Sequence, residues 1–281
     1  MESFNDNLET RNIAQRNAIT IKNEAAMAHE VHVGAQYIQG QPLDCMFGSE
    51  EKPVVQDEAS SLLYRRGTAD KASFDDFEMI RIIGQGAFGK VYLVHCNKTG
   101  KYYAMKCIRK DLIIKHNAID NIESEKLILD QVHHPFIVGM DYVFQKAYRI
   151  YFVMDYIQGG ELKKHLTQKT RFGDFQAKFY CAQIAIALGY LHKSGVIYRD
   201  LKPENILLDR DGYIKLADFG LAKIVGEGAQ ESNSFCGTPE YLSPEMIDGS
   251  GHDHTLDWWA LGIITYEMLI GIPPFFSQDM R

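Results

Sequence analysis

A short polar turn between two β-type runs carries the densest group of reactive side chains in the chain. Residues 196–209 read Val-Ile-Tyr-Arg-Asp-Leu-Lys-Pro-Glu-Asn-Ile-Leu-Leu-Asp. Seven positions of this stretch hold Arg199, Asp200, Lys202, Glu204 and Asn205. A structural hairpin does not need so many ionisable groups, so we interpret the turn as a place where chemistry is done. The alternative is a solvated turn rich in charge, and the other motifs decide between the two.

A glycine-rich segment indicates that the chemistry involves phosphate. Gly84-Gln85-Gly86-Ala87-Phe88-Gly89 follows an alternating run from Phe77 to Ile83 and precedes Val91-Tyr92-Leu93-Val94. Residues without a Cβ let backbone N–H groups approach phosphate oxygens closely. The pattern alone is weak, since dinucleotide-binding folds carry it too, but there the third glycine opens a helix. Strand, glycine turn and strand instead predict a hairpin that covers phosphates.

A second carboxylate, Asp218, stands on a turn after Asn205 and begins the sequence Asp-Phe-Gly. A carboxylate in this setting suits Mg²⁺ facing a triphosphate, because this hard ion prefers one or two carboxylates together with phosphate oxygens. The sequence His133-His134-Pro135 has no third metal ligand at a sensible interval, so we interpret it as a structural turn.

The apolar pattern predicts the elements that position these groups. Lys101 to Ile108 is a third strand that carries Lys106, and a helix from about Asn117 to Asp130 places Glu125 on its inner face. Two more strands follow. A helix from Phe175 to Ser194 stops at Gly195 and supports the polar turn from behind. Its apolar spacing is given by Phe179, Ala182, Ile186 and Leu191.

Size and composition exclude several classes of protein. With 281 residues, 46% of them hydrophobic, the chain can bury a sizeable core in one large domain or two smaller ones. The scattered cysteines form no C-x-x-C pair, which indicates reduced, intracellular thiols. The apolar run from Trp258 to Phe276 contains Glu267 and a Pro-Pro pair, so it predicts a buried helix, not a membrane span. The net charge of −7 argues against a general nucleic-acid binder.

Residues 1–76 differ in composition from the rest. They carry most of the excess acidic charge and are rich in Asn, Gln, Glu and Ala. Because they hold neither a helical nor a strand period for long, we expect them to be mostly disordered. Thr68 follows two arginines and is a candidate phosphorylation site, although an incidental charged linker is the favoured interpretation.

Together these motifs resemble those of protein kinases. Lys106 ends Tyr103-Ala104-Met105-Lys106, in the place of the family's Val-Ala-Ile-Lys, and Asp-Leu-Lys-Pro-Glu-Asn is the serine/threonine form of the catalytic loop. Tyr198 in place of the common His, and the segment from Ser234 to Tyr241, are similar to the AGC group. That group includes the cAMP-dependent, protein-kinase-B-like and ribosomal-S6-kinase-like enzymes. The resemblance covers Phe77 to the C-terminus.

The resemblance implies an α+β fold of two lobes with MgATP between them. We expect a β-rich small lobe at residues 77–154, a hinge at 155–161 and a mostly helical large lobe at 162–281. An apolar column of Leu129, Met140, Tyr198 and Phe219 would join the lobes and rest on Asp257. The family continues with further helices and a C-terminal tail, so we expect the chain to be C-terminally truncated.

The resemblance also assigns the reacting groups. Asp200 would accept the substrate hydroxyl proton and Lys202 would steady the transferring phosphate. Asn205 and Asp218 would share the metal ions, and Lys106 would pair with both the nucleotide phosphates and Glu125. Met154 would be the gatekeeper, Asp155 and Ile157 would contact the adenine, and Glu161 the ribose. The implied ATP-binding residues are Gly84, Gln85, Gly86, Ala87, Phe88, Gly89, Val91, Ala104, Lys106, Met154, Asp155, Ile157, Glu161 and Leu207.

Regulation and substrate choice are implied in the same way. Ser234 stands at the family's activating phosphorylation site, where an upstream kinase would act and Arg199 and Lys223 would clamp the phosphate. Thr238 would hydrogen-bond Asp200 and Lys202. The acidic positions that pair with arginines ahead of the phosphoacceptor would be Glu161, Glu204 and Glu267.

The predicted function is therefore transfer of the ATP γ-phosphoryl group to Ser or Thr of protein substrates with preceding basic residues. The alternatives are an inactive truncated chain and a kinase-like binding or scaffold protein. Non-catalytic relatives usually lose the metal or phosphate residues, whereas Lys106, Asp200, Asn205 and Asp218 are all present. We expect a cytoplasmic protein without a transmembrane segment, and residence in the nucleus is also compatible with the sequence.

Overall fold

A five-stranded antiparallel sheet forms the first half of the fold. The computed structural model describes residues 72–225 and 236–277. The strands are β1 (Phe77–Gly86), β2 (Gly89–Cys96), β3 (Tyr102–Arg109), β4 (Met140–Lys146) and β5 (Arg149–Asp155), in the spatial order β1-β2-β3-β5-β4. The first strand is longer than predicted because the glycine segment itself stays paired, with Gly86 opposite Gly89.

The two faces of this sheet bury different apolar sets. Alternation along β3 places Tyr103, Met105 and Cys107 on one face, where they pack with apolar residues of the neighbouring strands. The other face is covered by two helices, α1 (Lys110–Lys115) and α2 (Ile119–Gln131). Ile122 of α2 packs there against Ile108, Ile150 and Phe152. The sheet thus fixes α2, and with it Glu125, relative to β3.

Helices and two short ribbons form the second half. The helices are α3 (Leu162–Lys169), α4 (Asp174–Lys193), α5 (Pro244–Asp248) and α6 (Thr255–Ile270). The ribbons pair β6 (Val196–Ile197) with β9 (Lys223–Ile224), and β7 (Ile206–Leu208) with β8 (Ile214–Leu216). Short 3₁₀ turns lie at Phe74–Asp76, Pro203–Asn205 and Pro239–Tyr241. None of the helices in the described ranges is long and apolar enough to cross a membrane.

The predicted apolar face of α4 is wrong. Phe179, Ala182 and Ile186 are exposed, and of the predicted set only Leu191 is buried. The helix has apolar side chains on opposite sides, so both sets satisfy helical spacing. The side that faces the core is the one with more apolar positions: Ala177, Tyr180, Ile184, Ala187, Leu188 and Leu191.

The apolar column implied by the resemblance is present. Leu129, Tyr198 and Phe219 are almost fully buried in one core, and Met140 packs against it. The rings of Tyr198 and Phe219 meet edge to face with centroids 5.2 Å apart. Leu129 lies on the helix beside the sheet, whereas Tyr198 and Phe219 belong to the helical part, so the column joins the two parts of the fold.

Candidate active site

The polar turn after β6 holds the carboxylate of Asp200 from several sides. Lys202 Nζ donates to Asp200 Oδ1 at 3.0 Å, and Asn205 Nδ2 donates to Oδ2 at 2.8 Å. Thr238 Oγ1 lies 3.4 Å from Asp200 Oδ1 and accepts a hydrogen bond of 3.0 Å from Lys202 Nζ. The turn therefore presents a carboxylate and an ammonium group side by side in a fixed orientation.

The backbone of this turn is anchored on Asp257 at the start of α6. The Tyr198 N–H donates to Asp257 Oδ2 at 3.0 Å and the Arg199 N–H to Oδ1 at 2.9 Å. His192 Nε2 of α4 lies 2.8 Å from Asp257 Oδ2. Asp257 is fully buried, and Arg199 adopts a left-handed φ of 66°. A buried carboxylate thus holds a strained segment, and nothing in the sequence indicated the His192 contact.

Lys106 of β3 joins two carboxylates from distant parts of the chain. Its Nζ lies 2.6 Å from Glu125 Oε1 and 3.1 Å from Asp218 Oδ1. Burial alone would lower the pKa of Lys106, but the two carboxylates outweigh it and raise that pKa. The Lys106 charge holds the pKa of Asp218 below its usual range, while burial raises the pKa of Glu125. The Lys106–Glu125 ion pair that the resemblance implies is therefore formed.

Asn205 and Asp218, the predicted metal ligands, lie at one end of the β7–β8 ribbon. The Ala217 N–H donates to the Asn205 carbonyl at 2.9 Å, which brings Asp218 next to Asn205. The amide nitrogen of Asn205 binds Asp200, so its amide oxygen is the atom left for a metal. The Asp218 side chain is about half exposed. One carboxylate and one amide oxygen fit a hard divalent cation that keeps phosphate oxygens and water as its other ligands.

The glycine segment forms the β1–β2 hairpin, as predicted. Gly84 is paired with Val91, and Val91 faces Lys106 on β3. Gly89 approaches β3 so closely that a Cβ there would overlap the carbonyl oxygen of Cys107, whereas a Cβ on Gly86 would meet nothing within 4 Å. Gly89 therefore sets the distance between the hairpin and the strand of Lys106, and Gly86 lies at the open tip.

Gly89→Ala is expected to lower the free energy of unfolding by about 2 kcal/mol and to weaken ATP binding, because the new methyl group forces β2 away from β3. Gly86→Ala, the matched control, should change stability by less than about 0.5 kcal/mol. Urea unfolding and a nucleotide titration measure both effects. Equal behaviour of the two variants would show that the close approach at Gly89 has no role.

The segment after β5 contains the backbone groups that the resemblance assigns to the adenine. Met154 pairs with Ala104, and the Asp155 N–H donates to the Gly139 carbonyl at 3.0 Å, so this N–H group is not available to a ligand. Neither backbone group of Ile157 hydrogen-bonds the backbone elsewhere in residues 72–225 and 236–277. Gly159 N–H donates to the Leu208 carbonyl at 2.8 Å, which ties this segment to β7 beside Leu207.

Only some of the predicted regulatory residues lie in the part of the chain that the structure describes. Ser234 and Thr68 lie outside the described residues. Arg199 Nε donates to the Leu221 carbonyl at 2.7 Å, and Lys223 pairs with Ile197 in the β6–β9 ribbon. Arg199 and Lys223 thus belong to one local unit, and their binding of a phosphate stays a prediction.

Two of the three predicted substrate-binding glutamates meet at a lysine that the sequence reasoning missed. Lys163 Nζ of α3 lies 2.9 Å from Glu267 Oε1 and 3.8 Å from Glu204 Oε1. The Tyr241 hydroxyl donates to Glu267 Oε2 at 2.6 Å. Glu161 stands at the N-cap position of α3 without a side-chain capping hydrogen bond, and it makes no ion pair in the part of the chain described here. Only the Lys163-Lys164 pair two positions after Glu161 could have drawn attention to this cluster.

Comparison with known proteins agrees with this geometry. The chain is 48% identical over 204 residues to the cAMP-dependent protein kinase catalytic subunit of Dictyostelium discoideum, covering 73% of this chain and 31% of that protein. It is 46% identical over 217 residues to the RAC family serine/threonine-protein kinase homolog of the same organism, covering 76% and 48%. Serine/threonine-protein kinase Sgk1 of Xenopus tropicalis is 50% identical over 205 residues, covering 73% and 49%.

The chain thus spans between about a third and a half of the length of these relatives. Their names confirm the resemblance to the AGC group. The family model described as the protein kinase domain matches residues 77–281, from the first residue of β1 onwards. The chain belongs to the protein kinase domain family.

Proposed function

We propose that this chain is a serine/threonine protein kinase that transfers the γ-phosphoryl group of ATP to a hydroxyl group of a protein. The observation that carries the proposal is the meeting of two groups at one end of the β7–β8 ribbon. One is the hydrogen-bonded set around Asp200, and the other is the triad of Lys106, Glu125 and Asp218. The Ala217–Asn205 hydrogen bond joins them.

The nucleotide would lie between the glycine hairpin and the segment after β5. Lys106 would contact the α and β phosphates, and the hairpin backbone would cover them. Val91, Ala104 and Leu207 offer partly buried apolar side chains for the base. The Asp155 carbonyl and the backbone of Ile157 supply its hydrogen bonds, and the Glu161 carboxylate faces the ribose.

Transfer would take place at Asp200. Its carboxylate accepts the proton of the substrate hydroxyl as the oxygen attacks the γ-phosphorus, and the bond to the β–γ bridging oxygen breaks to leave ADP. Lys202 stabilises the negative charge of the group in transfer. Asn205 and Asp218 would hold Mg²⁺, which when bound neutralises charge on the phosphate oxygens.

We further propose that substrates carry a basic residue ahead of the acceptor, read by Glu161, and that an upstream kinase phosphorylates Ser234. Glu161 supports the first proposal because it lies at the start of α3 and is bridged to Leu207 of β7, beside the nucleotide segment. The resemblance of residues 234–241 to an activation segment supports the second. The cytoplasmic or nuclear localisation stays a prediction.

The test is transfer of radiolabelled γ-phosphate from MgATP to an Arg-containing Ser peptide by the 281-residue chain. The label should appear on the peptide, and the transfer should stop when Mg²⁺ is omitted or when the Ser is replaced by Ala. ATP binding measured by calorimetry in the same preparation separates two failures. Binding without transfer would favour the kinase-like binding or scaffold protein, and the absence of both would indicate an inactive chain.

A further inference from the structure

Lys163 already lies between the two acidic side chains to which a substrate arginine would bind. Its ammonium group is 2.9 Å from Glu267 Oε1 and 3.8 Å from Glu204 Oε1. Glu267 is almost completely buried, whereas the Lys163 and Glu204 side chains are 36% and 40% exposed. The subsite is therefore reached from solvent through Lys163 and Glu204, and its deepest carboxylate is already paired.

The hydrogen bonds already present in the subsite limit the acceptors that a substrate arginine can use. Glu267 uses Oε1 for Lys163 and Oε2 for the Tyr241 hydroxyl. Burial and this hydrogen bond raise the pKa of Tyr241, so the hydroxyl stays a donor. Glu204 Oε2 is buried without a hydrogen-bond partner among the described residues, and Glu204 Oε1 lies 3.8 Å from Lys163, beyond hydrogen-bond distance. An arginine binds paired acceptors in its bidentate geometry, and both oxygens of Glu267 are already used.

The net charge of the subsite also weakens the binding of a second arginine. Two glutamates without Lys163 would present two negative charges to a substrate cation, and with Lys163 they present one. Burial lowers the pKa of Lys163, but Glu267 and Glu204 outweigh this and raise it, so the ammonium stays protonated. Because Lys163 is part of the same chain, it pairs with Glu267 without the association cost that a substrate side chain must meet.

We propose that Lys163 is a specificity-determining residue that occupies the Glu204–Glu267 subsite and makes the enzyme select substrates without a second arginine. This inference rests on the proposed function and refines its substrate class. Glu161 binds one basic residue of the substrate. A second arginine directed to Glu204 and Glu267 adds little affinity, because it must first displace Lys163.

The test uses peptides in which one Arg is kept at the preferred position and a second Arg is moved through the other positions ahead of Ser. The variants are Lys163→Met, Lys163→Gln and the control Lys164→Met. Lys163→Gln keeps a hydrogen-bond donor next to the buried Glu267 carboxylate, so this variant should stay folded even if Lys163→Met unfolds. Lys164 is the adjacent exposed lysine and makes no ion pair within the described ranges. Both kcat/KM and the binding of matching peptides with Ala in place of Ser are measured on the full chain.

We expect one position of the second Arg to improve kcat/KM and peptide affinity about tenfold in both Lys163 variants, which corresponds to about 1.4 kcal/mol. Wild type and Lys164→Met should show no such gain. The proposal is overturned if all four proteins share one Arg profile, or if the Lys163 variants lose activity equally on every peptide. Absence of phosphate transfer by the wild type would contradict the proposed function, while the peptide-binding profiles would still decide the role of Lys163.

Discussion

Asp200→Asn is expected to lower kcat for phosphate transfer by about a thousandfold while leaving the affinity for ATP nearly unchanged. The amide has no basic oxygen to take the hydroxyl proton, and general-base catalysis typically contributes factors of this size. The amide still fits between Lys202 and Asn205, which now hold the carboxylate at 2.8–3.0 Å. The turn therefore keeps its conformation, and the substitution slows the chemical step without weakening ATP binding.

Single-turnover transfer of labelled phosphate measures this effect, with ATP binding followed by calorimetry on the same variant. Asp211→Asn is the matched control, because Asp211 is an exposed carboxylate in the turn between β7 and β8. It should retain wild-type kcat. A loss of less than about tenfold in Asp200→Asn would exclude Asp200 as the base, since even a modest base contributes more.

Asp257→Ala is expected to lower the free energy of unfolding by about 4 kcal/mol. The substitution removes the acceptor of the Tyr198 and Arg199 N–H groups and of His192, and the first two groups stay buried or partly buried without a partner. Losing one member of a buried charged network costs roughly 3–5 kcal/mol. The left-handed backbone at Arg199 would also relax, so Asp200 would lose its orientation.

Urea unfolding followed by tryptophan fluorescence measures the change. Asp253→Ala is the control from the same end of α6, where an exposed carboxylate accepts hydrogen bonds from the Thr255 N–H and hydroxyl and should contribute about 1 kcal/mol. A cost for Asp257→Ala no greater than that of Asp253→Ala would show that the turn is held by its apolar neighbours instead.

Features set by local chemistry were predictable from the sequence. The glycine hairpin followed from glycines between two β-type runs. The Lys106–Glu125 pair came through the resemblance. The contacts of Thr238 with Asp200 and Lys202 came through the resemblance alone. These contacts join residues 19 to 38 positions apart, so the motifs of the family predicted them and local chemistry did not.

Features set by long-range packing were not predictable. The buried face of α4 depends on which of two apolar sides meets the core, and periodicity is the same for both. Lys163 and Glu267 are 104 positions apart, and His192 and Asp257 are 65 apart. From the sequence, Lys163 and His192 look like ordinary surface residues, because only the tertiary fold places a buried carboxylate next to each of them.

The contact between Lys106 and Asp218 has a consequence for protein synthesis. The two residues are 112 positions apart. At about 5–20 residues per second, roughly ten seconds pass on the ribosome between the synthesis of Lys106 and that of Asp218. During this interval the nascent sheet and α2 can form the Lys106–Glu125 pair, but Asp218, the carboxylate proposed to hold the metal ion, has not been made. On the proposed function, a nucleotide would therefore stabilise the fold only late in translation, after the small sheet has been made.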